Sequence, residues 1–302
     1  MMTRSLTSSA DTLVRCGART LFARTLLGSC LLLLLLQGSV LGQEWVLPER
    51  SQANLDALAR VELRTYEMPQ GDGAEVEYRV YVPTGYDGDR ATPLVIALHG
   101  LGSGTLYMME YNNLVELAED YGYIVATPMG FNERGWYGGR GAGNEVNRRR
   151  EDPGPDNLGE LSELDVMNVL EIMREEYNVD ERRIYLIGQS MGGAGTWHIG
   201  MKYPDIWAAL APMAPAIGAS RNPDELSAAR RLPVMVVQGD ADTAVDVEIT
   251  RRWVAKMEEL GMNYEYIEVA GGTHFSAGRQ NIDRVFAFLA EHRKEARRRY
   301  RR

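Results

Sequence analysis

An α/β domain, with a doubly wound, mostly parallel sheet and helices on both faces, is the fold class this sequence predicts. Three observations carry that prediction. Strand-like and helix-like segments alternate between residues 93 and 291. The runs Pro-Leu-Val-Ile-Ala-Leu at 93–98 and Pro-Val-Met-Val-Val-Gln at 233–238 are almost unbroken apolar stretches of strand length, as in strands covered on both faces. Finally, in the stretch 180–203 the apolar residues Ile184, Tyr185, Leu186 and Ile187 stop at Gly188, and Ser190, Gly192, Gly193 and a helix-compatible segment follow.

Residues 51–60 read as a short helix or ordered lead-in. Alternation at 61–68 and 75–82 predicts two strands joined at the Gly-Asp-Gly turn 71–73. A loop at 83–87 leads to the strand 93–98. Residues 113–121 predict an amphipathic helix and 123–127 a strand, followed by a long Gly/Asn/Pro-rich loop over 129–157. Leu161, Leu164, Met167, Val169, Leu170, Met173 and Tyr177 recur close to a 3.6 period, which predicts a helix over 161–177. The strand and helix around Ser190 come next, then short strands at 207–211 and 233–238. A helix over 247–260 is closed by Gly261. The strand 264–269 and the helix 282–291 complete the series. No internal repeat or linker interrupts 61–291, so a single domain is expected.

Composition narrows the function classes. The formal net charge is −9, and the first 42 residues hold four Arg and one Asp (+3), leaving about −12 on the remainder. An acidic body argues against nucleic acid and gives no pull toward anionic membranes. Arg4, Arg15, Arg19 and Arg24 precede an apolar run of 11 residues, Leu26 to Leu36, with Gly38, Ser39 and Gly42 after it. This is the layout of a secretory signal over residues 1–42, cleaved near Gly42. The run is short of the roughly 20 residues a spanning helix needs. A secreted or periplasmic body over 43–292 is expected, with an uncleaved membrane anchor as the alternative. Both cysteines, Cys16 and Cys30, fall in the signal segment, so no disulfide or thiol chemistry is expected downstream. The tail 293–302 carries seven Lys/Arg against one Glu and reads as a frayed, solvated helix end, with binding to an acidic partner or envelope polymer as the alternative.

Open α/β sheets place their sites at the carboxyl ends of strands. Ser190 sits at one such end, at the apex of a Gly-x-Ser-x-Gly turn. Asp240 and Asp242 follow the 233–238 strand, with Asp246 a turn further on, and His274 follows the 264–269 strand. A serine hydroxyl is a weak nucleophile until a base takes its proton, and neutral imidazole suits that task near pH 7. The imidazole needs an anion on its other nitrogen to fix its tautomer. Ser190 is the expected nucleophile, His274 the base and Asp242 the orienting acid, with Asp240 as competitor. His99 is expected to hold the loop after the 93–98 strand, His198 to be a packing residue, and His292 to lie in the tail. An oxyanion needs backbone N–H donors, expected from Met191 and from Leu101, with Gly102 a near equal. Trp136, Tyr137 and Trp197 are the candidate substrate-binding aromatics. Asp152, Asp156 and Asp165 have no Ca²⁺-loop spacing, and no metal or cofactor is expected.

The segments PLVIALHG, DERRIYLIGQSMGGAGTW, GDADTAV and GGTH together resemble secreted serine esterases of the α/β-hydrolase fold, in the branch of polyhydroxybutyrate depolymerases, feruloyl esterases and predicted peptidases. The similarity covers about residues 78–289 and departs from the pattern at Gln189 and at Gln238, where histidine is commoner. The order Ser, Asp, His is that of the α/β-hydrolase triad. The resemblance implies an exported hydrolase that cleaves carboxylic esters, small or polymer-borne, through an acyl-enzyme. A serine peptidase of the prolyl oligopeptidase type and a non-catalytic binding module on the same scaffold are the alternatives.

Overall fold

A computed structural model of the chain describes residues 49–295. The signal segment expected at 1–42 and the basic tail from residue 296 onward lie outside the described residues.

The chain opens with α1 (Gln52–Leu58), whose N-terminus is capped by the Ser51 hydroxyl accepting from Asn54 N–H at 3.0 Å. Strands β1 (Glu62–Met68) and β2 (Ala74–Tyr81) form a hairpin. Its turn contains the expected Gly-Asp-Gly but is longer, running over residues 69–73. A 3-10 turn at Pro69–Gly71 leads into left-handed Asp72 (φ 54°) and Gly73 (φ 77°). Then come β3 (Thr92–Leu98), α2 (Leu106–Met109), α3 (Leu114–Tyr121) and β4 (Ile124–Pro128). After the long loop follow α4 (Leu158–Glu176), β5 (Val179–Gln189), α5 (Met191–Lys202) and β6 (Ala209–Met213). The chain continues through β7 (Val234–Gly239), α6 (Val247–Glu259), β8 (Tyr264–Val269), α7 (Ser276–Arg279) and α8 (Ile282–Glu291). The four-residue helices α2 and α7 are too short to leave a periodic signal, and the sequence does not predict them.

These strands form one sheet in the order β1-β2-β4-β3-β5-β6-β7-β8. The pairings of β1 with β2 and of β2 with β4 are antiparallel, and every pairing from β4 to β8 is parallel. From β3 the chain first steps to β4 on one side, then returns through α4 to β5 on the other. That reversal opens a crevice beyond the carboxyl ends of β3 and β5, where open α/β sheets place their ligands.

Strand alternation sends β3 residues to two cores. Leu94, Ile96 and Leu98 pack with α4, α5 and α6, while Val95 and Ala97 pack with α1, α3 and α8. Both sets are fully buried, which is why 93–98 reads as one apolar run. β6 starts two residues later than expected. Ala208 N–H already donates to Ile184 O at 2.7 Å, and Trp207 beneath it is buried. The tail also differs at its root. Helix α8 ends at Glu291, and Lys294 N–H donates to Arg182 O at 2.9 Å, so its first residues run against β5.

The long loop is tied to α4 by Asp165. This buried carboxylate accepts from Tyr66 OH and Gly130 N–H, both at 2.6 Å, and from Phe131 N–H at 3.2 Å. Burial pushes its carboxyl up to about 6, against the pull of those three donors. In the unfolded chain an Asp titrates near 4. Between about pH 4 and pH 6 the native state therefore holds the extra proton, and stability falls as pH rises through that window. The urea midpoint of the native sequence, taken relative to Asp165→Asn at pH 4, 5 and 6, is expected to fall as pH rises. Parallel pH profiles for the two proteins would contradict the assignment.

Candidate active site

Ser190 stands between β5 and α5 with φ 59° and ψ −113°. A non-glycine residue there is strained. The turn is held from both sides, since Ser190 N–H donates to Met213 O at 2.9 Å and Ser190 O accepts from Ala194 and Ala216 N–H at 3.0 and 2.9 Å. The flanking glycines answer to contact distance. A Cβ on Gly192 would lie 2.1 Å from Leu98 O, and one on Gly188 would lie 2.4 Å from Gly192 O. Helix α5 thus runs against β3 and β5 with no room for a side chain. Gly192→Ala is expected to cost at least the ~1–3 kcal/mol typical of overpacking, measured by urea unfolding, because the obstructing atom is backbone. A loss under about 0.5 kcal/mol would mean that the helix can shift away.

The structure brings together the three residues that the sequence places at separate strand ends. His274 Nε2 is 2.9 Å from Ser190 Oγ, and His274 Nδ1 is 2.8 Å from Asp242 Oδ2. Asp242 Oδ1 accepts from Ala244 and Val245 N–H, each at 2.8 Å, and Oδ2 accepts from Gln238 Nε2 at 2.9 Å. Burial opposes its charge, but the hydrogen bonds from His274, Val245 and Ala244 outweigh it. They hold the carboxyl below the usual carboxylate range. Asp240 is occupied elsewhere, its Oδ1 accepting from Gly271 N–H at 2.6 Å, and Asp246 caps α6 through Glu248 N–H at 3.0 Å.

The loop after β3 carries His99 to Gly102. His99 is fully buried, with Nδ1 2.9 Å from Gly100 O and Nε2 2.8 Å from Met129 O. Burial holds it below the ordinary imidazole range despite those two carbonyls. Gly102 N–H donates to Glu133 O at 2.9 Å, so of the two expected oxyanion donors in this loop Gly102 is already engaged. His198 lies outside the cleft, with Nε2 2.7 Å from Glu163 Oε2, and His292 sits at the end of α8 with Nδ1 2.8 Å from Phe288 O.

Two of the three candidate substrate-binding aromatics require correction. Tyr137 is fully buried, its hydroxyl accepting from His99 N–H at 3.2 Å and its own N–H donating to Ser162 Oγ at 2.9 Å. Trp197 is 2% exposed and packs on Trp253 with ring centroids 5.4 Å apart. Both serve the core between sheet and helices. Trp136 does line the cleft. The separation arises because Trp136, Tyr137 and Gly138 all have positive φ (58°, 50° and 75°). Consecutive left-handed residues turn adjacent side chains to different sides in a way no periodicity announces.

The cleft over Ser190 encloses about 360 Å³ and includes Trp136, Arg140, Val245 and Phe275. Gln189 is buried below it, its Nε2 donating to His274 O at 3.1 Å and its Oε1 accepting from Tyr107 OH at 3.3 Å. This glutamine therefore links the Ser190 turn to the His274 loop. Gln238, at the other departure from the pattern, accepts from Thr250 Oγ1 at 3.2 Å while supporting Asp242. The sequence marked both positions as unusual but offered no signal for what they would touch.

Comparison with known proteins places this geometry in context. A bifunctional acetylxylan esterase/xylanase of Neocallimastix patriciarum is 28% identical over 188 residues, 62% of this chain and 24% of that protein. Poly(3-hydroxyalkanoate) depolymerase C of Paucimonas lemoignei is 27% identical over 136 residues, 44% of this chain and 30% of that one. The chain thus aligns with less than a third of either relative's length. Among solved structures, a thermostable esterase superposes with a TM-score of 0.62 at 25% identity, covering 79% of this chain and 64% of the other. The model of the Esterase family, described as "Putative esterase", matches residues 72–288. With most of the described sheet inside that match, the chain belongs to the Esterase family and has the α/β-hydrolase fold.

Proposed function

We propose that this chain is an exported serine hydrolase that cleaves carboxylic esters through an acyl-enzyme, with no metal and no cofactor. The observation that carries the reading is the relay in which Ser190 Oγ, His274 and Asp242 are linked at 2.9 and 2.8 Å. His274 Nε2 accepts the Ser190 proton as Oγ attacks the ester carbonyl. Asp242 holds the proton on Nδ1 and offsets the charge of the imidazolium. The N–H groups of Met191 and Leu101 receive the developing oxyanion. The imidazolium then protonates the leaving alkoxide, and a water activated by the same nitrogen releases the acid and restores Ser190. Trp136 borders the substrate.

An accessible ester, small or polymer-borne, suits the cleft, because Leu101 (49% exposed) and Phe275 (60% exposed) stand at its rim. Membership of the Esterase family and the likeness to an acetylxylan esterase and a polyhydroxyalkanoate depolymerase support an ester over other bonds. Residues 43–292 form the catalytic domain in this reading, and residues 1–42 direct export. Among the described residues no helix is long and apolar enough to cross a membrane.

The test pairs a p-nitrophenyl ester series with a fluorophosphonate probe. Burst kinetics and labelling at Ser190 are expected. A folded protein that neither turns over esters nor takes the probe would overturn the proposal. Cleavage of proline peptides without cleavage of esters would favour the peptidase alternative.

A further inference from the structure

We propose that Arg140 binds a carboxylate carried by the substrate, so that the preferred esters bear a negative charge away from the scissile bond. This rests on the serine-esterase reading above and narrows its substrate class.

Arg140 lines the same cleft as Ser190 and His274, and among the described residues no Asp or Glu lines it. Its guanidinium lies over the Trp136 ring, 4.4 Å from the centroid, and Nη2 donates to Ala216 O at 3.2 Å. A guanidinium has five N–H donors in a fixed plane. The stack and one carbonyl orient that plane without neutralising it, and among the described residues no carboxylate pairs with it. Arg221 and Arg134 differ in this respect. Arg221 has Glu225 as its partner, with Nε 3.1 Å from Oε1, while its Nη1 donates to Gly139 O. Arg134 has Glu133 at 2.9 Å.

Arg140 is an exposed residue that lines the cleft, so its guanidinium is open to a ligand. Desolvation of part of its side chain, and secondarily the charge of Arg221, lower its proton affinity below the ordinary arginine range. An anion bound beside it would offset the repulsion from Arg221. A carboxylate matches the guanidinium fork with two parallel hydrogen bonds, and Trp136 holds the fork ready for it. The whole chain is acidic, with a formal charge of −9, so its field disfavours anionic esters unless a cation stands where they bind. Arg140 is that cation in the cleft.

The experiment compares esters matched except for charge. On the acyl side, the half-ester 4-nitrophenyl hydrogen glutarate is set against 4-nitrophenyl pentanoate. On the alcohol side, 4-acetoxybenzoate is set against its methyl ester. The native protein is expected to favour the charged member of at least one pair by about tenfold or more in kcat/KM, mainly through KM, as a charge-assisted hydrogen bond allows. Arg140→Gln is expected to abolish that preference, and Arg140→Lys to restore part of it. Each preference is a ratio within one protein, so a smaller folded fraction cancels. The proposal is overturned if the native protein prefers neither charged ester, or if the preference survives Arg140→Gln undiminished. Ordinary hydrolysis of the neutral esters without a charge preference would sink the carboxylate site alone. No turnover of any of the four esters would remove the esterase reading with it.

Discussion

Replacement of Ser190 by Ala is expected to lower the turnover of a simple aryl ester by about a million-fold, the scale of losing a serine nucleophile. The native fold is expected to persist. Ala removes one oxygen atom, whose neighbour is His274 Nε2 at 2.9 Å, and it leaves the backbone of the turn unchanged. That turn keeps its three main-chain hydrogen bonds to Met213, Ala194 and Ala216. A companion variant sharpens the argument. Ser190→Gly removes the same oxygen and also relaxes a backbone at φ 59°, ψ −113° that only glycine adopts freely. It is expected to be inactive yet more stable than Ser190→Ala, by about 1–3 kcal/mol if the strain is typical. Ester kinetics and urea unfolding of both variants provide the measurement. A Ser190→Ala protein with more than a hundredth of native turnover would show that another group attacks the ester.

Asp242→Asn is expected to cost about four orders of magnitude in kcat, the size of effect that a wrong imidazole tautomer produces. Local hydrogen bonding dictates why the amide cannot turn to a harmless orientation. Two main-chain N–H groups, from Ala244 and Val245, require an oxygen at the Oδ1 position at 2.8 Å. The amide nitrogen must then occupy the Oδ2 position, facing His274 Nδ1 and the donor nitrogen of Gln238. His274 responds by moving its proton to Nε2, where it can no longer accept one from Ser190. Fluorophosphonate labelling rates and single-turnover kinetics on Asp242→Asn test this. A loss smaller than tenfold would mean that the carboxylate does not govern the tautomer. The native carboxyl is held below the usual carboxylate range, so it contributes stability above the unfolded value, lost as pH falls through the depressed one. The Asn variant lacks that dependence, and acid unfolding curves provide a second readout.

Much of the architecture is legible along the chain. Strand β8 and helix α8 have the boundaries their patterns predict, 264–269 and 282–291. Each is governed by local periodicity with a turn residue beside it. The doubly buried strands β3 and β7 are visible as apolar runs because both faces meet helices. Helix α4 begins three residues before its periodic pattern does, at Leu158. Its first turn packs on the loop through Gly159, where a Cβ would lie 2.0 Å from Gly141 O. That contact is long-range and leaves no mark in the spacing of apolar residues. Asp165 illustrates the same boundary. As a sequence feature it was one of three acids in an irregular series, and its buried place under Gly130 and Phe131 depends on how a 29-residue loop returns to α4.

By itself the sequence determined the class of fold and which polar residues stand at strand ends, since both follow from dihedral periodicity and from glycines at close approaches. Only the tertiary structure decided which of two adjacent aromatics, Trp136 or Tyr137, borders the cleft. It alone showed that Gln189 and Gln238 brace the histidine and the aspartate, and that Arg140 stands in the cleft with no acidic partner among the described residues. Those properties belong to contacts between segments distant in the chain, and the geometry of an irregular loop is set by what it packs against rather than by any pattern of its own.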